Sequence, residues 1–145
     1  MKKKIIVVDD DPHILALLKR AIEDRVPDVT VETCTSVKSA QGVFESAERV
    51  HLLVSDIVMP VETGWELIRW LKDQGKFKNL PVIAMSGYVS ETEVSSEQKP
   101  GSLVCGFVAK PLNIDQLTKM IEDHVGVEPN AGPASDEKTT ASEDS

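Results

Sequence analysis

Short unbroken apolar runs alternate along this chain with stretches in which apolar residues recur every three or four positions. The first kind reads as strands buried on both faces, the second as amphipathic helices. Ile5, Ile6, Val7 and Val8 form the first run, which stops at Asp9-Asp10-Asp11. Ile14, Leu15, Leu17, Leu18, Ala21 and Ile22 then predict a helix, with Asp11 as its cap and Pro12 at its first position. Val26-Pro27-Asp28 closes it, and Val29, Val31 and Thr33 alternate with polar residues as a second strand. Ser36 is placed to cap the next helix, whose apolar side is Ala40, Val43, Phe44 and Ala47. The stretch 51–60 is a third strand: its apolar run ends at Asp56, and Met59-Pro60 breaks regular structure. Trp65, Ile68 and Leu71 mark a helix that fades at Gly75, and residues 80–85 a fourth strand ending at Ser86-Gly87. Residues 90–101 are polar, anchored by Val94, and predict only a short, loosely held helix. Residues 103–109 predict a fifth strand ending at Lys110-Pro111; Ile114, Leu117, Ile121 and Val125 predict a last helix, with Asn113 as its cap.

A strand followed by a helix five times over predicts an α/β fold, a parallel sheet covered by helices on both faces. The pattern stops near residue 125. Residues 126–145 are rich in Gly, Pro, Ser, Thr, Ala and acids, with no large apolar residue after Val127. Such a segment buries too little surface to offset its ordering entropy. The division expected is therefore one domain over 1–125 and a disordered acidic tail over 126–145.

Charge sharpens this picture. The chain of 145 residues has a formal net charge of −8. Half of it lies in the tail, where Glu128, Asp136, Glu137, Glu143 and Asp144 stand against Lys138, a net of −4. The body is only mildly acidic and lacks the basic face of a nucleic-acid binder. No run is long enough to span a membrane, and Lys2-Lys3-Lys4 precedes an apolar run too short for a secretory signal. Cys34 and Cys105 have no metal-ligand spacing and read as two buried thiols. A cytoplasmic protein is expected.

The polar residues fall where the strands end: Asp9 and Asp10 after the first, Asp56 after the third, Ser86 after the fourth, Lys110 after the fifth. In a parallel sheet these ends share one edge, the edge where open α/β sheets bind ligands. Clustered carboxylates repel one another, so one takes a proton or a cation joins them. Oxygen donors alone suit a hard divalent ion, Mg²⁺ best, and Mg²⁺ invites phosphate. A lysine and a hydroxyl opposite would complete a phosphoryl cradle, and a carboxylate can itself accept a phosphoryl group.

Val7-Val8-Asp9-Asp10-Asp11-Pro12, Ser55-Asp56-Ile57-Val58-Met59-Pro60 with Gly64 following, Ala84-Met85-Ser86-Gly87 and Ala109-Lys110-Pro111 together resemble the motifs of a response-regulator receiver domain of two-component signalling, most of all the single-domain chemotaxis-regulator type. Each motif is weak alone; four in order, each at a strand end, are specific. The resemblance implies a flavodoxin-like, doubly wound (βα)5 three-layer sandwich with strand order 2-1-3-4-5. It implies that Asp56 accepts a phosphoryl group from a sensor histidine kinase. Asp9, Asp10, Asp56 and the Val58 carbonyl would hold Mg²⁺ or Mn²⁺. Ser86 and Lys110 would bind the phosphoryl oxygens, and Phe107 would turn inward as Ser86 moves. The Lys110–Pro111 bond would be cis. The face built from the fourth helix, fifth strand and last helix would then change its partner preference. Val58 and Tyr88 stand two residues beyond Asp56 and Ser86, where side chains of this family tune hydrolysis; a valine and a bulky tyrosine imply a long-lived aspartyl phosphate.

With only the short polar tail beyond the domain, output is expected through protein contacts. The chain would regulate a target protein or relay its phosphoryl group to a histidine phosphotransferase, and would be no enzyme. The competing class is a Mg²⁺-dependent phosphohydrolase with an aspartyl-phosphate intermediate. Such enzymes of the haloacid dehalogenase type want an acid two residues after the nucleophile, where this chain has Val58. Asp11 reads as a helix cap, Trp65 and Trp70 as packing, and His13, His51 and His124 share no spacing that suggests a site.

Overall fold

A computed structural model describes residues 2–59, 63–86 and 104–126, with the backbone alone at Ser86 and Gly126. Five strands, β1 (Lys3–Val8), β2 (Val29–Cys34), β3 (Leu52–Asp56), β4 (Val82–Ser86) and β5 (Gly106–Ala109), make one sheet in the order β2-β1-β3-β4-β5. Every ladder in it is parallel. Among the described residues the helices are α1 (Pro12–Arg25), α2 (Val37–Ser46), α3 (Gly64–Lys72) and α4 (Ile114–Ile121), and α4 continues through a wider π turn at Glu122–Gly126.

The unbroken apolar runs become central strands because both sheet faces are covered. Successive side chains of a strand point to opposite faces. Ile6, Val8, Leu53, Val82 and Ala84 pack with Phe44 of α2 and Leu67, Ile68 and Leu71 of α3. Ile5, Val7, Leu52, Val54, Ile83, Met85 and Val108 pack with Leu15, Leu18 and Ile22 of α1 and Leu117 and Ile121 of α4. All five residues of β3 are buried. It is the middle strand of the five, so Asp56 emerges from the most enclosed part of the sheet.

Caps fix where the helices begin. Asp11, Ser36 and Asn113 each accept a backbone N–H from the first turn of the helix that follows, as the sequence predicts. At α3 the cap is Thr63, accepting from Glu66 N–H. Thr63-Gly64-Trp65-Glu66 has the spacing of a capping box, a signal the sequence reading passed over.

Some boundaries move. β4 starts at Val82, two residues later than expected, because Leu80 and Pro81 lie before the ladder. β5 starts at Gly106, after Cys105 N–H has already bonded Val82 O. The third helix ends at Lys72, and a separate 3-10 turn, Gly75–Phe77, drops Phe77 edge-on against Phe44 with ring centroids 5.0 Å apart. Cys34 is buried but Cys105 is exposed, so the expectation of two buried thiols fails at β5, a short edge strand. The helix expected at 90–101 and the tail beyond 126 lie outside the described residues. Among the described residues no helix is long and apolar enough to cross a membrane.

Candidate functional site

The β1 and β3 ends place two carboxylates in the protein interior. Asp9 is fully buried and Asp56 is 3% exposed, while Asp10 is exposed. Asp9 follows the last β1 residue; its N–H bonds Cys34 O at 3.1 Å, and its Oδ1 accepts Asp11 N–H at 2.9 Å. Oxygens of Asp9, Asp10 and Asp56 all lie within 4.8 Å of one another. Oxygen donors this close have the chemistry of a hard divalent ion's site, so the residues present fit Mg²⁺ or Mn²⁺.

Lys110, one residue past β5, joins the two buried carboxylates. Its Nζ donates to Asp9 Oδ2 at 2.8 Å and to Asp56 Oδ2 at 3.0 Å. Asp56 Oδ1 accepts the Val58 N–H at 3.2 Å. Burial pushes the Asp56 carboxyl above its ordinary value; the Lys110 hydrogen bond pulls it down, and the Asp9 charge pushes it up again. Burial alone would lower Lys110, but its bonds to Asp9 and Asp56 outweigh that and hold it above the ordinary lysine value. Lys110 therefore stays an ammonium, while burial first, and the Asp9 charge after it, hold the Asp56 carboxyl above its ordinary value.

Gly64 explains how the turn after β3 is held. Its N–H donates to Ile57 O at 2.8 Å. A Cβ there would stand 2.2 Å from Asp56 O and 2.9 Å from Ile57 Cα, both backbone atoms that cannot step aside. Only glycine lets the start of α3 press this closely on the chain beside Asp56. Buried Ser55 donates from Oγ to the same Asp56 carbonyl at 3.0 Å. The motif includes Ser55, but neither spacing nor periodicity shows that its hydroxyl is spent on the Asp56 carbonyl.

Ser86 ends β4 with its backbone level with Ala109, one residue from Lys110, and Asp56 stands level with Met85. The four strand ends thus share one edge. The Lys110–Pro111 peptide is cis. Val58 is 43% exposed beside Asp56. Phe107 is half-buried against the core on the α2 and α3 side, as are Trp65 and Trp70. Tyr88 lies outside the described residues. The histidines stand apart from the carboxylate trio: His13 and His124 are exposed, and His51 caps the start of the β1–β3 ladder.

The family model described as the response regulator receiver domain matches residues 5–122. The chain belongs to this family. The receiver is 35% identical to an uncharacterized 14.6 kDa protein of Leptolyngbya boryana, over 83% of this chain and 88% of the relative. It is 27% identical to a chemotaxis protein CheY homolog of Campylobacter jejuni, covering 90% of this chain and 98% of that one. The polar-differentiation response regulator DivK of Brucella anthropi is 24% identical, over 87% and 98%. Among solved structures, Vibrio cholerae CheY4 superposes with a TM-score of 0.76 at 26% identity, covering 86% of this chain and all of that one. Five parallel strands in the order 2-1-3-4-5 with flanking helices are the flavodoxin-like arrangement of such receivers.

Proposed function

We propose that this receiver is a phosphoacceptor of a two-component pathway, with Asp56 as the residue phosphorylated by a histidine kinase. The observation that carries the reading is the Lys110 ammonium bridging two buried carboxylates, with Asp10 at the rim. An Asp56 carboxylate oxygen attacks the phosphorus of a phosphohistidine. The phosphorus–nitrogen bond breaks, and its electron pair leaves with the donor's imidazole. Lys110, already on Asp56 Oδ2, is placed to take a phosphoryl oxygen as charge moves onto this edge. Asp9, Asp10, Asp56 and the Val58 carbonyl would hold Mg²⁺ or Mn²⁺, which when bound supplies neutralisation of the phosphoryl and carboxylate charges.

Ser86, at the end of the neighbouring strand, is assigned a second phosphoryl oxygen, and Phe107 on β5 the conformational response. Output then runs through contacts with a target protein or a histidine phosphotransferase in the cytoplasm. The phosphohydrolase reading is disfavoured, since the exposed valine at 58 offers no acid to a leaving group.

Incubation with acetyl phosphate and Mg²⁺, read by intact mass, tests the proposal. One phosphoryl adduct is expected, absent in Asp56→Asn and without Mg²⁺. An adduct that survives Asp56→Asn would move the acceptor elsewhere, and its absence from the wild type would remove the reading.

A further inference from the structure

Asp9, Asp10 and Asp56 stand where strands end, with Lys110 between Asp9 and Asp56, whereas a second group of lysines gathers where strands begin. Lys3, the first residue of β1, donates to Val125 O at the end of the last helical turn. Lys76 donates to Ala47 O, the cap of α2, and its ammonium lies 5.3 Å from the Phe77 ring centre. Lys72 donates to Leu80 O just before β4, and its burial lowers its proton affinity. Cations at these positions suit the negative ends of helices. Two shallow hollows, of about 300 and 400 Å³, flank Leu80-Pro81 and share Asn79. Lys76 and His51 line the first, Lys72 and Lys78 the second. Arg49 adds a further charge beside His51, while Glu48 and Asp73 are the acids adjoining this group in sequence. The group is cationic, but too small and too mixed for a nucleic-acid backbone.

We infer that this basic end of the receiver is the docking surface for the acidic segment of its own chain, residues 136–144. The bond from Lys3 to Val125 fixes the exit point of that segment beside the start of β1. Sheet order puts β4 two ladders away, roughly 10 Å at the usual strand spacing. Asp136 lies 11 residues beyond Val125. Eleven residues span about 18 Å on average as a random coil, a length sufficient for Asp136 and Glu137 to reach the hollows. Tethering holds these carboxylates at an effective concentration in the millimolar range, which lets weak pairs form. Lys72 and Lys76 each use one N–H on a backbone carbonyl, and an ammonium has three. The segment offers two pairs of adjacent acids, Asp136-Glu137 and Glu143-Asp144, against the single cation Lys138. Docking would leave the phosphoacceptor edge open while covering the opposite end against other acidic chains.

Amide spectra of ¹⁵N-labelled full-length protein test the inference. One variant neutralises the segment (Asp136→Asn, Glu137→Gln, Glu143→Gln, Asp144→Asn). A second reverses the surface (Lys76→Glu, Lys78→Glu), both at exposed positions. At about 0.01 M salt, wild type and neutralised variant should differ at His51, Lys72, Lys76, Lys78 and Asn79, and the difference should vanish near 1 M, as the screening length falls from about 30 to about 3 Å. On the reversed surface, neutralising the segment should shift none of these amides. Superimposable spectra at low salt would overturn the inference. So would a difference that grows with protein concentration, which would assign the surface to the segment of a second copy.

Discussion

Asp56 carries a charge that the fold resists. Its carboxyl is raised above 3.8 mainly by burial, so the folded state holds this proton more tightly than the unfolded chain does. The sign follows: the contribution of Asp56 to stability falls as pH rises past 3.8, and at neutral pH its charge is a net cost. Asp56→Asn should therefore raise stability, on the order of 1 kcal/mol in urea denaturation at pH 7. Lys110→Met should do the opposite and lose about 3–5 kcal/mol, because Asp9 and Asp56 would stay buried without their shared cation. The double variant should lose less than Lys110→Met alone, since one of the two stranded charges is gone. His51 offers a second titration of opposite sense. Its Nδ1 accepts Lys4 N–H at 3.0 Å, so the ring is neutral there, and burial followed by the charges of Arg49 and Lys3 lowers its proton affinity below the ordinary 6.5. The unfolded chain then binds the proton more readily. The His51 contribution is fully present above 6.5 and is lost as pH falls below it. His51→Asn, which keeps an acceptor but does not titrate, should flatten the stability profile between about pH 7 and 5 relative to wild type.

At the scale of elements, much was legible because burial on both sheet faces writes unbroken apolar runs, and the strand ends could be counted off in order. Asp11, Ser36 and Asn113 were readable as caps for the same local reason. What stayed hidden depends on contacts between elements. The edge strand β2 is an example. Among the described residues no strand lies on the outer side of Val31, and two side chains of α1 stand in for one: Glu23 Oε2 accepts Val31 N–H and Lys19 Nζ donates to Val31 O, each at 2.8 Å. The Lys19–Glu23 ion pair at 2.8 Å closes the clasp. In sequence these are one more i,i+4 pair on a solvated face. Edge strands without such cover invite pairing with another chain. Glu23→Ala should speed hydrogen exchange at the Val31 amide and lower stability by about 1–2 kcal/mol, as for loss of a charged hydrogen-bond partner. Gly64 is legible as a motif residue but not as a steric necessity, which only its approach to Asp56 O reveals. Gly64→Ala should cost about 3 kcal/mol or more, measured by chemical denaturation, since the clash is with backbone.

For the molecule as a whole, an ion held by the carboxylate trio would link its binding to global stability. Asp9 follows β1, Asp56 ends β3, and Lys110 follows β5, so the site gathers the neighbouring strands β1 and β3 with β5, which lies beyond β4. The two cores lie on opposite faces of the same strands and share them. Pulling the strand ends apart would disturb both cores at once, so a ligand holding the ends together should raise the stability of the whole domain. A ligand at a hundred times its dissociation constant stabilises by about 2.7 kcal/mol if it ignores the unfolded chain. Mg²⁺ should accordingly raise the thermal midpoint in a concentration-dependent way, and a chelator should reverse it. Asp10→Asn is the informative control, because Asp10 is exposed and its loss opens no buried gap. This variant should fold with near-wild-type stability in chelator and lose most of the Mg²⁺-dependent gain in calorimetry. An equal gain in Asp10→Asn would mean that the ion acts elsewhere on this acidic chain. A wild-type midpoint that ignores Mg²⁺ would mean that the trio holds no such ion.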